Sequence, residues 1–219
     1  MSITVNTSST NSRFTTLESV KNDLGITDPS QDAYLDNLIL EAGDFIRTFT
    51  GREFARETVT ETLPKRSHNP RLMVSRTPIR NIVSIQDDGS TVASTSYEVE
   101  DSEAGIIFRE NGWRDTTQYR HWISPYPSRS GRKDYKVEYE AGFAMPGSTD
   151  RDLPYDVERA AREIVTQTFL EAGQSGNVKS EAVGEASIAY AGPANSLAIP
   201  KSAEARLEPW VRADLHLNS

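Results

Sequence analysis

The 219-residue sequence predicts an α+β fold: a bundle of two long helices and one short helix, a β-rich insertion, and an extended C-terminal arm ending in a short kinked helix. Two stretches, 28–50 and 153–172, carry apolar residues at the 3.6-residue period of a helix. Between them, residues 56–143 alternate apolar and polar side chains at period two, as strands do. Helical and strand segments that are segregated along the chain are typical of α+β domains.

The N-terminal region is expected to contain an arm and the short helix. Residues 1–14 are rich in Ser, Thr and Asn and predict a flexible arm. A helix is expected over 15–25, where Thr15 and Glu18 have the spacing of a capping box and Gly25 supplies a left-handed stop. Its apolar stripe is Leu17, Val20 and Leu24.

The two long helices have clear boundaries. Asp28 is a good N-cap with Pro29 at the first helical position, and Gly51 ends the first long helix. Pro154 marks the start of the second and Gly173 its end. Their apolar stripes predict that they pack together within a single domain spanning 15–173. The first stripe comprises Leu35, Leu38, Ile39, Ala42, Phe45, Ile46 and Phe49, and the second Val157, Ala160, Ala161, Ile164, Val165, Thr168 and Phe169.

Turn signals divide the insertion into short strands. Asp88-Gly89 is typical of a two-residue hairpin turn, and Glu103-Ala104-Gly105 of a second turn. The expected strands lie at 57–63, 71–76, 81–92, 96–100, 105–109 and 134–143.

Residues 174–219 are interpreted as a C-terminal arm. A linker of small residues offers one weak strand around 187–190. A helical stripe follows, and Pro209 interrupts it. Such short helices are marginal alone in water, so this segment should fold either on its own domain or on a partner, and a partner surface is favoured. The stripe comprises Ala203, Leu207, Trp210, Val211 and Leu215.

Composition narrows the functional classes. The chain has no cysteine, which excludes thiol catalysis, thiolate zinc sites and disulfide frameworks. A net charge of −8 argues against general binding to a phosphate backbone. The start of the chain does not resemble a signal peptide, and no apolar run predicts a membrane span, so no membrane partner is expected.

The sequence offers no clear catalytic, cofactor-binding or metal-binding residues. No two histidines have the i, i+4 spacing of a helical zinc motif, and neither a phosphate-binding loop nor a nucleophile elbow occurs. The prediction is therefore no enzyme and no cofactor. A hydrolase whose carboxylates converge from separate segments stays open as an alternative.

Residues 112–136 form a basic, aromatic segment. Basic side chains alternating with aromatic platforms are used to bind single-stranded nucleic acid, which gives an alternative function as a nucleic-acid-binding module. The same composition suits a loop whose aromatics cover the sheet, or a protein–protein contact. The candidate contact residues are Trp113, Arg114, Tyr119, Arg120 and Trp122.

The order of these segments resembles the head–tail connector (adaptor) proteins of tailed bacteriophages. The similarity covers most of residues 15–215 and depends on the succession of motifs. These are TLESVKNDLGITDPSQDAYLDNLILEAGDFIRTFTGREF, TPIRNIVSIQDDGS, YEVEDSEAGIIFRENGW, VEYEAGF, DLPYDVERAAREIVTQTFLEAG, VGEASIAYAG and LEPWVRADL.

The resemblance implies a non-enzymatic structural protein of the virion head–tail junction, made in the host cytoplasm. It would form a homo-oligomeric ring, a dodecamer, beneath the portal protein and present its other face to a neck or tail-completion protein. Genomic DNA would pass through the lumen without sequence-specific binding, and the acidic charge would keep DNA from the channel wall. By matching position, the portal-facing anchors would be Leu207, Trp210, Val211 and Leu215. The candidate contact residues of the segment 112–136 would then meet a neighbouring subunit or a tail protein.

Overall fold

The α+β prediction is confirmed by a computed structural model that describes residues 2–8, 13–64, 69–113, 134–173, 180–183, 186–189 and 197–212. Its internal contacts divide the chain into two compact units. The sheet unit comprises Met1–Thr10 and Phe54–Phe143, and the helical unit comprises Asn11–Glu53 and Ala144–Ser219.

Two antiparallel sheets form the sheet unit. Their strands are β1 Ser2–Thr7, β2 Glu57–Pro64, β3 Asn69–Met73, β4 Ile79–Asp87, β5 Ser90–Thr91, β6 Glu98–Asp101, β7 Ile106–Trp113 and β8 Asp134–Ala141. The larger sheet has the order β1-β2-β8-β4-β5, and the smaller has the order β3-β7-β6. The expected hairpin turn joins β4 to β5, with φ of 50° at Asp88 and 85° at Gly89.

Alternation along the strands builds one core between the two sheets. In β2, Val59, Glu61 and Leu63 are buried while the threonines between them are partly exposed. Buried side chains from both sheets join a single cluster because each sheet turns its apolar face inward. The cluster comprises Val59, Leu63, Leu72, Val74, Ile79, Ile85, Val92, Ile107, Trp113, Tyr135, Val137, Tyr139 and Ala141.

The N-terminal strand departs from the flexible arm expected over 1–14. Ser2–Thr7 pairs antiparallel with β2, from Ser2 opposite Thr62 to Thr7 opposite Thr58. The physical reason is that Thr is favourable in strands as well as in loops, and Ile3 and Val5 supply the period-two alternation. The division of the chain into an arm, a single domain over 15–173 and a C-terminal arm remains a prediction.

The two ends of the segment Phe54–Phe143, the longer of the two segments in the sheet unit, lie side by side. Ala55 and Phe143 form a parallel bridge. The Phe143 N–H donates to the Phe54 carbonyl at 2.6 Å, and the Arg56 N–H donates to the Phe143 carbonyl at 2.9 Å. The chain therefore enters and leaves this unit through adjacent backbone strands.

The helical unit contains the helices α1 Leu17–Leu24, α2 Asp32–Thr50, α3 Tyr155–Gly173 and α4 Lys201–Leu207, together with the hairpin β9 Ser180–Val183 and β10 Ala186–Ala189. A 3-10 turn, Pro29–Gln31, precedes α2, and a second, Glu208–Trp210, follows α4. Where the sequence predicted one weak strand around 187–190, the structure has both strands of a hairpin.

Local capping explains the helix boundaries. Thr16, not Thr15, is the N-cap of α1, because its Oγ1 accepts the Ser19 N–H at 3.2 Å. Asp28 accepts the Ser30 N–H at 3.2 Å and so starts the 3-10 turn before α2. Gly51 ends α2 in the left-handed conformation, as predicted.

The helices of this unit contact one another along their apolar stripes. α2 contacts α3, α3 contacts α4, and α1 contacts both α2 and α3. Tyr34 of α2 lies 6.0 Å from Phe169 of α3, between ring centroids. Over the described ranges, no helix combines the length and the apolar character that crossing a bilayer would require.

Candidate interaction surfaces

The C-terminal helix α4 is docked on its own unit. Ala203 and Leu207 are fully buried, whereas Lys201, Ser202 and Glu204 are exposed. Leu207 is one of the four predicted portal anchors, and its side chain lies in the core of the helical unit in this conformation. A partner could therefore contact Leu207 only after α4 leaves its site.

Glu163 of α3 is the polar centre of this docking. Its Oε2 accepts the Ser202 Oγ hydroxyl at 2.9 Å, and its Oε1 accepts the Arg159 Nε at 3.0 Å. The Arg206 Nε forms an ion pair with the same Oε1 at 3.3 Å. Burial acts to raise the pKa of Glu163, but the two hydrogen bonds and the charges of Arg206 and Arg159 outweigh it and hold the pKa below its ordinary value.

The residues on either side of α4 are also tied to the long helices. The Ala198 N–H donates to Thr168 Oγ1 of α3 at 3.0 Å. The Arg212 N–H donates to the Thr50 carbonyl, at the end of α2, at 3.0 Å. That carbonyl is one of the last four of the helix, which have no partner within it, so the C-terminal segment completes the end of α2.

The other predicted anchors have different settings. Trp210 and Val211 are partly exposed, on and after the 3-10 turn that follows α4. Leu215 lies outside the described residues. Among the predicted anchors in the described residues, Trp210 and Val211 are therefore the two whose side chains are partly accessible to a partner protein.

The structure corrects the assignment of Trp113 as a possible subunit or tail contact. Trp113 is 2% exposed, and its Nε1 donates to the Ile107 carbonyl at 3.1 Å. Its ring meets Tyr135 edge-on at 5.3 Å, and the Arg109 guanidinium lies 5.4 Å from its centroid. Trp113 is therefore a core residue, because its indole fills the space at the end of β7 and beside the start of β8.

Residues 114–133, which make up most of the basic, aromatic segment, lie outside the described residues. This applies to Arg114, Tyr119, Arg120 and Trp122. Trp113 and Tyr135 lie on either side of residues 114–133 in the sequence, and both are buried in the sheet unit. The role of that segment stays a prediction.

A buried carboxylate, not singled out from the sequence, lies in the sheet unit. Glu61 is fully buried, and its two oxygens accept the Ser75 N–H at 2.8 Å, the Ser75 Oγ at 2.6 Å and the Tyr139 hydroxyl at 2.8 Å. The Tyr139 hydroxyl accepts the Arg76 N–H at 3.1 Å. Burial, and then the negative charge of Glu61, raise the pKa of Tyr139 far above its ordinary value.

This network joins β2, β8 and the segment after β3. A carboxylate with several donors around it satisfies the requirement for burying a charge, so Glu61 has a structural setting. The sequence feature that could have revealed this buried carboxylate is the position of Glu61 in β2, on the same inward-facing side as Val59 and Leu63. Among the residues that the structure describes, no group of three or more His, Asp or Glu could hold a metal ion.

A comparison with protein-family models identifies a family for this chain. The family model described as "HCP: Head completion protein" matches residues 13–212. No curated protein sequence matches the chain.

Solved structures are similar over nearly the whole chain. A chain from the neck of an empty GTA particle, computed with C6 symmetry, has 13% identity and a TM-score of 0.57, covering 97% of this chain and 96% of that one. A chain from the virion of a native gene transfer agent (GTA) particle has 14% identity and a TM-score of 0.57, with the same coverage. A chain from the neck of the native GTA particle, computed with C12 symmetry, has 14% identity and a TM-score of 0.55, again with that coverage. At such low identity these likenesses establish a shared fold.

Proposed function

Since the chain belongs to the head completion protein family, we propose that it joins the DNA-filled head to the neck or tail as a ring-forming adaptor. The resemblance to head–tail connector proteins is confirmed by this membership. The protein is a structural component of the virion, at the head–tail junction. The observation that carries the assignment is the extent of the match, which includes residues of both units.

The ring is the first specific part of the proposal. The similar neck chains belong to particles computed with C6 and C12 symmetry. By extension, copies of this chain assemble head-to-tail into a closed ring, a dodecamer, beneath the portal protein. Head-to-tail contacts close when the rotation between neighbours is a whole fraction of a turn. In this proposal α1, α2 and α3 form the rigid bundle of each copy.

The portal contact is the second part of the proposal. The predicted anchors differ in burial, and we assign them different roles accordingly. Trp210 and Val211 offer partly exposed apolar surface, and Leu215 follows them. Leu207 is buried, so it holds α4 on the helical unit unless the portal draws that helix away. The opposite face of the ring would meet the neck or tail-completion protein, with the genome threading the lumen.

A reconstitution with point substitutions tests this portal contact. Deleting 201–219 would also remove Ala203 and Leu207 from the core, so the deletion cannot separate binding from folding. The sharper variant is Trp210→Ser with Val211→Ser, and the matched control is Lys201→Ser with Glu204→Ser on the exposed face of α4.

Purified protein is mixed with a portal ring, then sized and imaged. We expect stoichiometric rings from the wild type and the control, and none from the Trp210/Val211 variant under conditions where its α4 amides are as protected from hydrogen exchange as those of the wild type. Rings of normal stability from that variant would show that these residues are not anchors. A wild-type chain that never joins the portal would contradict the adaptor role itself.

We propose that the chain acts by recognition, without turning over a substrate. The buried carboxylate Glu61 supports this, because its oxygens are occupied by Ser75 and Tyr139. A substrate whose turnover is abolished by Glu61→Gln, in a variant that still folds, would contradict the proposal.

A further inference from the structure

The five-stranded sheet carries uncovered apolar side chains on its edge strand β1 and on β4, which the two-residue strand β5 covers only in part. Ile3 and Val5 on β1 are 39% and 42% exposed, and Val83 on β4 is 53% exposed. Among the described residues of the sheet unit, the other large exposed hydrophobics are Met73 and Val99, on the smaller sheet. Exposed apolar groups at both ends of one sheet suggest two contact surfaces.

The strand β1 is an edge with little protection: its register shifts between Val5 and Thr7, but it has no charge and no proline. Native edge strands avoid pairing with other chains by means of charges, prolines, bulges or short length. β3 contains Pro70 and Arg71, β6 has three acidic residues, and β5 has two residues. β1 has six residues without charge or proline, and no described strand lies on its outer side.

β1 is nevertheless fixed in register. The Asn6 amide donates to Thr60 Oγ1 at 2.9 Å and to Glu138 Oε1 at 3.0 Å, reaching across two neighbouring strands. Ile3 and Val5 lie opposite Glu61 and Val59, which point into the core. The apolar, core-facing side of the sheet therefore continues onto β1, where the described residues leave Ile3 and Val5 partly uncovered.

The opposite end of the sheet has a matching open stretch. β5 pairs only with Gln86 and Asp87 of β4. The Ile85 carbonyl accepts the Val92 N–H, and the Ile79 N–H donates to the Ser102 carbonyl. Between these points residues 81–84 are uncharged, and no described strand pairs with their outer side. Val83 occupies a register shift within this stretch.

We infer that β1 of one copy lies against residues 81–84 of β4 in the next copy, so that the large sheets continue from subunit to subunit. This inference rests on the proposed ring. A ring of identical chains needs two different surfaces on each copy that fit one another, and the two sheet ends provide them. Main-chain hydrogen bonds would add the strand, and the exposed β-branched side chains would be covered.

Composition favours β4 over the other edges as the partner of β1. The strand β6 presents Glu98, Glu100 and Asp101, and β1 has no basic side chain to pair with them. In β3, Pro70 removes a backbone donor, and Arg71 is already paired with Glu100 at 2.6 Å. The uncharged stretch 81–84 has neither obstacle.

Disulfide crosslinking tests this arrangement directly, because the chain has no cysteine of its own. Val5→Cys with Val83→Cys is oxidised in rings assembled on the portal and run on a non-reducing gel. We expect a ladder of covalent multimers that ends at the ring number. The matched control is Val5→Cys with Met73→Cys, which keeps one exposed partner and moves the other to β3; it should give no ladder.

The outcomes distinguish failure of the β1–β4 contact from failure of the ring proposal. Rings that form without a ladder, or a ladder from the Met73 control, would overturn the contact and leave the ring standing. Dimers from Val5→Cys alone would show two β1 strands meeting about a two-fold axis, which also overturns it. If no ring forms on the portal, the proposed function fails and this inference fails with it.

A charge substitution gives a second measurement. Val83→Lys should abolish ring formation, because a lysine on an open edge opposes strand addition, whereas Met73→Lys should leave rings intact. Both positions are exposed, so both variants should fold. Rings of normal stability from Val83→Lys would contradict the inferred contact.

Discussion

At the residue scale, Trp113 shows why an aromatic side chain in a basic segment is ambiguous from sequence alone. Its neighbours along the chain suggest a binding platform, whereas its burial depends on Tyr135, which lies 22 positions further on and meets it edge-on. Sequence spacing gives no measure of that contact, because the intervening segment has no regular period.

Replacing Trp113 should therefore destabilise the fold. We expect Trp113→Ala to lower the free energy of unfolding by about 3–5 kcal/mol, through the cavity and the lost ring contact. Urea denaturation would measure this loss of stability. The control is Met73→Ala at an exposed position, which should change the free energy of unfolding by about 0.5 kcal/mol or less. A small change for Trp113→Ala would indicate that the indole does not support the core.

A second prediction at the residue scale concerns Glu163 and the stability of α4 docking. Glu163→Gln should weaken α4 docking by about 1 kcal/mol, because the amide cannot hold the Arg159 and Arg206 charges. Hydrogen exchange of amides 203–207 at neutral pH should rise in this variant. Glu171→Gln is the control, since Glu171 is exposed on α3 and contacts Gln167.

The same residue gives the pH dependence. The folded pKa of Glu163 is below its ordinary value of 4.5, so its stabilising contribution is complete above that value and is lost as pH falls through the folded pKa. The groups that face it are Arg159 on α3 and Arg206 and Ser202 on α4. The stability difference between wild type and Glu163→Gln should narrow as the pH falls below 4.5. A stability difference that is constant with pH would contradict this expectation.

At the element scale, the sequence specified periodic segments well and long-range pairing poorly. The stripes of α2 and α3 define a face without reference to the rest of the chain, and their glycine stops are local. β1 escaped notice because its pairing partner, β2, lies more than fifty residues away and its Ser, Thr and Asn also suit loops. The docking of α4 depends on the fit of Leu207 between distant elements, so the stripe alone could not decide between its own domain and a partner.

Gly142, at the end of β8, provides a prediction at this scale. Its φ is +99°, and an added Cβ would lie 2.5 Å from the Ala55 carbonyl oxygen, where the two backbone strands of the bridge meet. Gly142→Ala should therefore cost clearly more than the roughly 1–2 kcal/mol of left-handed strain alone. Gly25→Ala isolates that strain, because Gly25 has a φ of +68° with nothing within 4 Å of the added Cβ. Equal thermal destabilisation of the two variants would show that the close approach does not matter.

At the scale of the whole molecule, the net charge of −8 bears on the nucleic-acid alternative. We expect the purified chain not to retard single-stranded oligonucleotides at physiological salt, because an acidic protein gains little from counterion release. Retardation that weakens steeply with salt, and is lost in Arg120→Ala with Trp122→Ala, would favour the alternative. Trp113 is unsuitable for this test because it is part of the core.

The adjacent entry and exit of the sheet unit at Phe54 and Phe143 have a practical consequence for protein engineering. A segment whose two ends lie side by side can be exchanged as a cassette, since a graft of different length needs only the same short gap between its termini. Residues 54–143 are accordingly the natural region in which to transplant a foreign sheet, provided that β1 is redesigned with it.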